Sequence, residues 1–288
     1  MLRKLQSTSN LHLAARKGNT EHLRRLLDGG EHVDAMSPDL MEGRETPLML
    51  AARFNEVDVV EYLVERGASL DMQDGRGSQA IHHAVMGGKM INVLRLIELG
   101  GSVLKEDFEC MSPLHVAAEC GYTDIVRLLM EHGADVKKVT YHGLSPLTLA
   151  SQKGHLETIQ FLIKHGCQLP EGDKGSYLPL HYAAEGDHTN VVKFIIQNGG
   201  SVLAKTGDGQ TVLHLATRME LVTFLVEKGA DINSRDYYSK TPLHTAAGEG
   251  QADAVTYLLN HGADINSRDR SGCSALYDAF RGGHAAAA

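Results

Sequence analysis

A short phrase recurs along this chain at a nearly fixed interval. Its marker is a leucine, or once an isoleucine, within phrases such as SPLHVAA and TPLHTAA. The intervals between successive markers are 37, 33, 33, 33, 33, 33, 30 and 33 residues. This period predicts tandem structural units, none of which can bury its apolar face alone. The markers are Leu11, Leu48, Ile81, Leu114, Leu147, Leu180, Leu213, Leu243 and Leu276.

The copy at 112–136 predicts two short helices and a turn. A Ser-Pro pair opens it, because serine can cap free N–H groups and proline suits the first helical position. Small alanines follow, which let neighbouring helices approach closely. Gly121 ends the first helix, and Ile125 and Leu128 recur at helical spacing in the second. Gly133 then supplies the left-handed conformation favoured at a helix C-terminus.

Composition and charge restrict the class of protein. The chain is 42% hydrophobic and 22% charged, as in ordinary globular proteins. The net charge is −8 and the basic residues are dispersed, which disfavours a nucleic-acid partner. Four cysteines without a CxxC pair are typical of thiols in a reducing compartment. The sequence has no signal-peptide pattern and no run of about 18 apolar residues, so we expect a cytoplasmic protein without direct membrane insertion.

The repeated unit resembles the ankyrin repeat. The resemblance rests on the TPLHxAA-like opening, the glycine after the first helix, the VxxLL second helix and the GADIN ending, over essentially the whole chain. It implies an all-α fold with short β-hairpin or turn projections, an ankyrin-repeat α-solenoid of about nine stacked helix-turn-helix units. It also implies a single array over 1–288, with approximate units at 5–40, 41–73, 74–106, 107–139, 140–172, 173–205, 206–235, 236–268 and a partial 269–284.

Three places depart from the period. The first interval is longer, and its surplus at 34–43 is either a tolerated surface loop or a lengthened hairpin that contacts a partner. The seventh interval is shorter, which predicts a truncated first helix and altered stacking near 217–220, with local flexing as a hypothesis. The ninth unit has no second helix in the sequence, and the alanine tail 285–288 indicates a truncation of a longer array or a cloning remnant.

Sixteen histidines raise the question of a metal or catalytic site. Six of them follow the marker of the repeated phrase, and three precede a helix-ending glycine. Copies one period apart lie about 10 Å apart, too far for shared coordination at about 2 Å. The sequence contains no P-loop, nucleophile elbow or zinc-deaminase motif. We therefore expect no metal, no cofactor, no small-molecule substrate and no enzymatic activity.

The resemblance implies a surface that binds a partner protein. It comprises the hairpin tips, the residue before the capping Thr or Ser, and the end of each first helix. Aromatic residues at such exposed tips are enriched among interface hot spots. Two interpretations stay open: the rings contact a partner, or they pack against the neighbouring hairpin. The predicted partner-binding residues are Phe108, Glu109, Met111, Tyr141, His142, Leu144, Lys153, Lys174, Tyr177, Glu185, Tyr237, Tyr238, Lys240 and Arg270.

Asn233 and Asn266 are candidate modification sites. Each ends a GADIN motif that has a leucine eight residues upstream. This resembles the pattern that an iron- and 2-oxoglutarate-dependent asparaginyl hydroxylase modifies in ankyrin repeats. The alternative is that asparagine only supports the turn through hydrogen bonds to the backbone.

Taken as a whole, the resemblance implies a protein–protein interaction module. Such a module would bind another protein or a peptide through hairpin tips and first helices on a concave face, as part of a larger adaptor or scaffold. The alternatives are the cytoplasmic array of an ion channel or toxin, and the substrate receptor of a ubiquitin ligase.

Overall fold

The computed structural model of the chain describes residues 2–37, 43–169 and 177–287. Its regular structure is helical, and within these ranges the one β pairing is an isolated bridge between Lys205 and Thr211. The predicted all-α class is therefore confirmed, and the expected hairpins are turns that form no sheet. None of the helices in these ranges is long and apolar enough to cross a membrane.

The helices follow the sequence period, with one pair for each repeat. Repeats one to four contain α1 (Leu2–Lys17), α2 (Thr20–Asp28), α3 (Pro47–Phe54), α4 (Val57–Glu65), α5 (Ala80–Met86), α6 (Met90–Glu98), α7 (Pro113–Cys120) and α8 (Thr123–Glu131). Repeats five to eight contain α9 (Pro146–Gln152), α10 (Leu156–Lys164), α11 (Pro179–Glu185), α12 (Thr189–Gln197), α13 (Val212–Leu215), α14 (Met219–Glu227), α15 (Pro242–Gly248) and α16 (Ala252–Asn260). Repeat nine has α17 (Ala275–Gly282), with no second helix among its described residues.

The chain divides into two compact units, Met1–Leu147 and Thr148–Ala288. In the first unit, α1, α3, α5 and α7 each pack on the next, as do α4, α6 and α8. In the second, α11, α13, α15 and α17 pack in series, beside the series α10, α12, α14 and α16. Each unit is thus a stack of helix pairs of the α-solenoid type, in which a repeat contacts its neighbours in sequence.

The buried side chains repeat with the same period. In repeat four, the marker Leu114 and the small Ala117 and Ala118 are all completely buried. Leu129 of α8 is also completely buried. Full burial of a leucine side chain stabilises the folded state by about 1.5–3 kcal/mol, so Leu114 and Leu129 each contribute substantially to a short two-helix unit.

Helix ends in repeat four agree with the sequence prediction. Pro113 is the first residue of α7, and Gly121 and Gly133 have the expected positive φ, +75° and +88°. Ser112 forms a capping box with His115: the serine side chain accepts the backbone N–H of His115, and Nδ1 of the histidine ring accepts the N–H of Ser112 over 3.2 Å. The serine hydroxyl also lies 2.8 Å from that Nδ1.

The first helix is longer than the phrase predicts. It begins at Leu2, well before the marker Leu11. The other first helices mostly start at a proline, which disfavours helical conformation in the residue before it. Asn10 stands where the proline would be, which allows the helix to continue upstream, although α5, α13 and α17 also lack this proline and start at that position. Of the surplus segment 34–43, residues 38–42 lie outside the described part of the chain.

Repeat seven has the predicted truncated helix. α13 contains four residues, and Ala216 after it is extended with φ −75° and ψ 117°. The connection is held by Asp187 of repeat six, which accepts a hydrogen bond from the hydroxyl of Thr217 and lies 3.3 Å from Nε of Arg218. An acidic residue of the preceding repeat therefore replaces the missing helical turn.

We expect backbone amides at 216–220 to exchange with solvent faster than those of α11 and α15. A four-residue helix has few internal hydrogen bonds, and the tether to Asp187 is solvent-exposed. Hydrogen–deuterium exchange followed by mass spectrometry measures this directly. Protection at 216–220 as strong as in the two flanking first helices would disprove local flexing.

Candidate interaction surface

Six loops between repeats, all within the described residues, share one compact geometry. In each, the N–H of the first residue donates to the carbonyl of the fifth, over 2.8–3.0 Å. The first residue is Asp or Thr, and its side-chain oxygen accepts the N–H of the fifth residue and, in most loops, of the third. We call these segments the tip loops; they are 74–78, 107–111 and 140–144 in the first unit, and 206–210, 236–240 and 269–273 in the second.

Successive tip loops are joined to each other by backbone hydrogen bonds. In the first unit, the N–H of Phe108 donates to the carbonyl of Arg76 (2.9 Å), and that of Tyr141 to the carbonyl of Glu109 (2.8 Å). In the second, Arg270 donates in the same way to Tyr238 over 2.8 Å. Each unit thus presents its tips as a fixed row, and a partner would meet little loop reorganisation on binding.

Four aromatic side chains stand out from these rows. Phe108 is 68% exposed and Tyr141 78%, both in the first unit. Tyr237 is 64% exposed and Tyr238 59%, both in the second. Rings of this size normally bury most of their area in a folded chain, so their exposure on rigid loops leaves apolar surface available for contact.

Two of the four rings are partly covered by the preceding tip loop. A Cβ placed on Gly77 would lie 2.7 Å from Cδ1 of Phe108, and one on Gly209 would lie 2.8 Å from Cδ1 of Tyr237. Both glycines have positive φ, so each allows the turn and admits the ring. Phe108 and Tyr237 therefore rest one edge on the preceding loop while most of each ring faces solvent. The two interpretations of the aromatic tips are compatible for these residues.

Tyr177 is more enclosed than an exposed tip residue. It is half-buried, with its ring centroid 4.9 Å from that of Tyr182 and 5.8 Å from that of His181. Burial raises the pKa of the Tyr177 hydroxyl above its usual range, and the nearby Glu185 carboxylate adds to the shift. This ring packs on the first helix of its own repeat.

The remaining predicted partner-binding residues differ in their exposure to solvent. Met111, Leu144 and Lys240 are half-buried, and Lys174 lies outside the described residues. The exposed ones are Glu109, His142, Lys153, Glu185 and Arg270.

Histidines of the repeated phrase tie the first helix of their repeat to the segment around the start of the next repeat. In five repeats, Nδ1 accepts the N–H of the residue that precedes the helix, so Nε2 carries the proton and donates to a carbonyl further along the chain. These histidines therefore have a structural role in the described part of the chain. These Nε2–O pairs are His82–Met111 (3.2 Å), His115–Lys138 (3.1 Å), His181–Ala204 (3.1 Å), His214–Lys240 (3.2 Å) and His244–Cys273 (3.2 Å).

Burial lowers the pKa of His82, His115, His181 and His214 below the usual range for histidine. The hydrogen bonds that they donate to carbonyl groups oppose this shift without cancelling it. The rings are therefore held neutral in the folded chain. Within the described ranges, no group of three or more His, Cys, Asp or Glu side chains is placed to hold a metal ion.

A buried polar cluster in the first unit was missed by the sequence analysis. Nε2 of His83 lies 3.0 Å from Oδ2 of Asp74, and Nδ1 lies 3.5 Å from Oε1 of Glu45. Burial alone would raise the pKa of Asp74, but the hydrogen bonds from His83 and two backbone N–H groups lower it overall. The signal was the doubled histidine in QAIHHAV, whose second member occupies a position that is apolar in most other repeats.

Asn233 is tied to the corresponding turn of the next repeat, which follows α16. Its Nδ2 donates to the carbonyl of Gly262 over 3.0 Å, and its Oδ1 accepts the N–H of Asp264 over 2.9 Å. These bonds favour a turn-supporting role for the asparagine. Hydroxylation of Asn233 and Asn266 stays a prediction.

A family model described as "Ankyrin repeats (3 copies)" matches residues 3–74, 66–140, 147–236, 201–269 and 234–288. The chain belongs to the ankyrin repeat family. This confirms the resemblance carried by the TPLHxAA and GADIN phrases. Ankyrin repeats are protein-interaction modules, and the fold is in general a non-enzymatic scaffold.

Similar proteins share parts of this ankyrin array. Human protein fem-1 homolog A is 46% identical over 61 residues, 20% of this chain and 9% of that protein. The mouse B-cell lymphoma 3 protein homolog is 34% identical over 83 residues, 29% of this chain and 18% of that protein. Human transient receptor potential cation channel subfamily A member 1 is 39% identical over 80 residues, 28% of this chain and 7% of that protein. The matched segments thus span less than a fifth of each of these relatives.

A solved ankyrin structure resembles a larger part of the chain. The crystal structure of the human ASB11 ankyrin repeat domain aligns with a TM-score of 0.66 at 27% identity. It covers 70% of this chain and 92% of the solved one. The fold assignment therefore rests on structural similarity as well as on the family match.

Proposed function

We propose that this ankyrin array binds a partner protein through its tip loops and the adjoining ends of its first helices. The observation that carries the proposal is the exposure of Phe108, Tyr141, Tyr237 and Tyr238 on loops fixed by backbone hydrogen bonds. Rigid aromatic tips bury a large area at a small cost in conformational entropy. We propose neither catalysis nor nucleic-acid binding for these residues.

The array would act as part of a larger adaptor or scaffold protein. Relatives in which the matched segment is less than a fifth of the protein support this assignment. The cation channel among them favours one alternative, in which the array belongs to the cytoplasmic part of a channel. We propose a cytoplasmic location, since all four cysteines are free thiols.

Replacing both Phe108 and Tyr141 with alanine is expected to weaken partner binding by more than about 2 kcal/mol. Tyr141→Ala alone should change the free energy of unfolding by no more than about 0.5 kcal/mol, because the ring is mostly in solvent. Phe108→Ala should cost slightly more, because one edge of its ring rests on Gly77. Quantitative mass spectrometry of proteins captured by wild-type and double-variant arrays measures the binding loss, and thermal unfolding measures stability.

The matched control is Ile91→Ala on α6. Ile91 is 62% exposed and apolar but does not lie on a tip loop. The proposal requires a set of captured proteins that is lost with the double variant and retained with Ile91→Ala. Equal capture by all three arrays, or loss only with Ile91→Ala, would contradict it.

A further inference from the structure

A polar cleft opens between repeats eight and nine of the second unit. Its volume is about 270 Å³, and it lies between the ends of α15 and α17. The lining residues are Lys240, Gly248, Asp278, Arg281 and Gly282. All five belong to the surface made by a tip loop and the first helices beside it.

The cleft exists because Gly248 has no side chain. Five residues after the marker, the first helices of repeats two to six carry a long side chain instead: Arg53, Met86, Glu119, Gln152 and Glu185. The backbone does not require glycine at 248, where φ lies outside the left-handed region. An added Cβ would meet only Cβ of Asp278, at an ordinary contact distance of 3.6 Å. A side chain at 248 would therefore fill the cleft without disturbing the helix.

Positive charge remains in the cleft after its internal ion pair is counted. Nζ of Lys240 donates to Oδ2 of the buried Asp278 over 3.0 Å, so these two charges compensate each other. The exposed guanidinium of Arg281 has no ion pair with any residue in the described ranges. Glu249 points to another partner, since its carboxylate accepts a hydrogen bond from Nε2 of Gln251 over 2.6 Å. The net charge of the lining residues is thus +1.

The surroundings fit an extended peptide. The exposed rings of Tyr237 and Tyr238 lie on the same tip loop as Lys240, and the N–H of Arg270 in the next loop donates to Tyr238. In the same row, Nη1 of Arg235 donates to the carbonyl of Arg268 over 2.9 Å. The tip loop that supplies Lys240 to the cleft thus also carries two exposed aromatic rings, and Arg281 in the cleft has no ion pair within the described residues.

We propose that this cleft receives the carboxylate side chain of an acidic segment in the partner protein. The inference rests on the proposed function and names the chemistry that one part of the surface selects. The guanidinium of Arg281 offers a planar pair of N–H donors that matches a carboxylate, and the ammonium of Lys240, paired with Asp278, also lines the cleft. Tyr237 and Tyr238 contact the apolar neighbours of that acidic residue.

Selection from a phage library of random peptides tests this directly. Peptides retained by the wild-type chain should be enriched in Asp and Glu, and a synthetic copy of the best one should bind about tenfold or more weakly to Gly248→Gln and to Arg281→Glu. Changing its acidic residue to lysine should restore binding to Arg281→Glu. The control Lys137→Glu makes the same change of charge on an exposed loop of the first unit and should leave the affinity unchanged. Thermal unfolding should show that Gly248→Gln melts no lower than the wild type.

The outcomes separate this inference from the function on which it rests. Peptides without acidic enrichment, or peptides that bind Gly248→Gln as well as the wild type, overturn the cleft assignment. If the binding of such peptides or captured proteins is still lost when Phe108 and Tyr141 are replaced, the proposed binding through the tip loops holds without the cleft assignment. If neither peptides nor proteins are retained by any form of the chain, both proposals fail.

Discussion

Replacing Leu129 with alanine will lower the free energy of unfolding of the first unit by about 2–5 kcal/mol. The side chain is completely buried in α8. A repeat of two short helices cannot close around the cavity left behind, because its helices are held by neighbours on both sides. Most small domains have about 5–15 kcal/mol of stability in total, so this single change is a large fraction.

Urea denaturation followed by circular dichroism measures the loss. The matched control is Leu104→Ala, the same substitution at a leucine that is 59% exposed. We expect the control to change the free energy of unfolding by no more than about 0.5 kcal/mol. Similar effects from the two substitutions would show that burial in the repeat does not determine stability.

Acidification from pH 7 towards pH 5 will destabilise the protein through its buried histidines. The folded pKa values of His82, His115, His181 and His214 are lowered by burial, whereas in the unfolded chain they are near 6.5. Below that pH the unfolded chain binds protons that the folded chain does not. The contribution of these histidines to the free energy of unfolding is fully present above pH 6.5. It falls as the pH decreases further, by at most about 1.4 kcal/mol per pH unit for each histidine.

His115→Met isolates one of these contributions. Repeat two already has Met49 at the equivalent position, where its sulfur accepts the N–H of Thr46 over 3.3 Å. The variant loses the bond to the carbonyl of Lys138, so we expect a loss of about 1–3 kcal/mol at pH 7. Its free energy of unfolding should then fall less steeply with acidification than that of the wild type. Denaturation curves at several pH values measure both effects, and an unchanged slope would contradict the assignment to His115.

The repeated architecture was predictable because its causes are local. Gly121 and Gly133 end helices through their own backbone freedom, and Leu114 recurs wherever a first helix meets its neighbour. The short α13 was equally predictable, since the missing glycine turn leaves no room for a full helix. The start of α1 was not, because its extension depends on residues upstream of the repeated phrase.

Contacts between individual side chains were beyond the sequence. The tips were placed correctly as exposed loops, but Tyr177 is enclosed by Tyr182 and His181, which the position of a tip residue does not reveal. The cleft beside Lys240 forms because Gly248 has no side chain. The sequence does not reveal such a cleft, because it exists only once the neighbouring helices are packed. The same holds for His83, whose carboxylate partners come from two other segments.

Amide hydrogen exchange in the Leu129→Ala protein tests the central claim most directly, that each repeat is stabilised by its immediate neighbours. We expect the largest loss of protection in α7 and α8, a smaller loss in α5 and α6, and no loss in α1 and α2. An equal loss in all of these helices would mean that one shared core stabilises the unit, and would contradict a stack of mutually covering repeats.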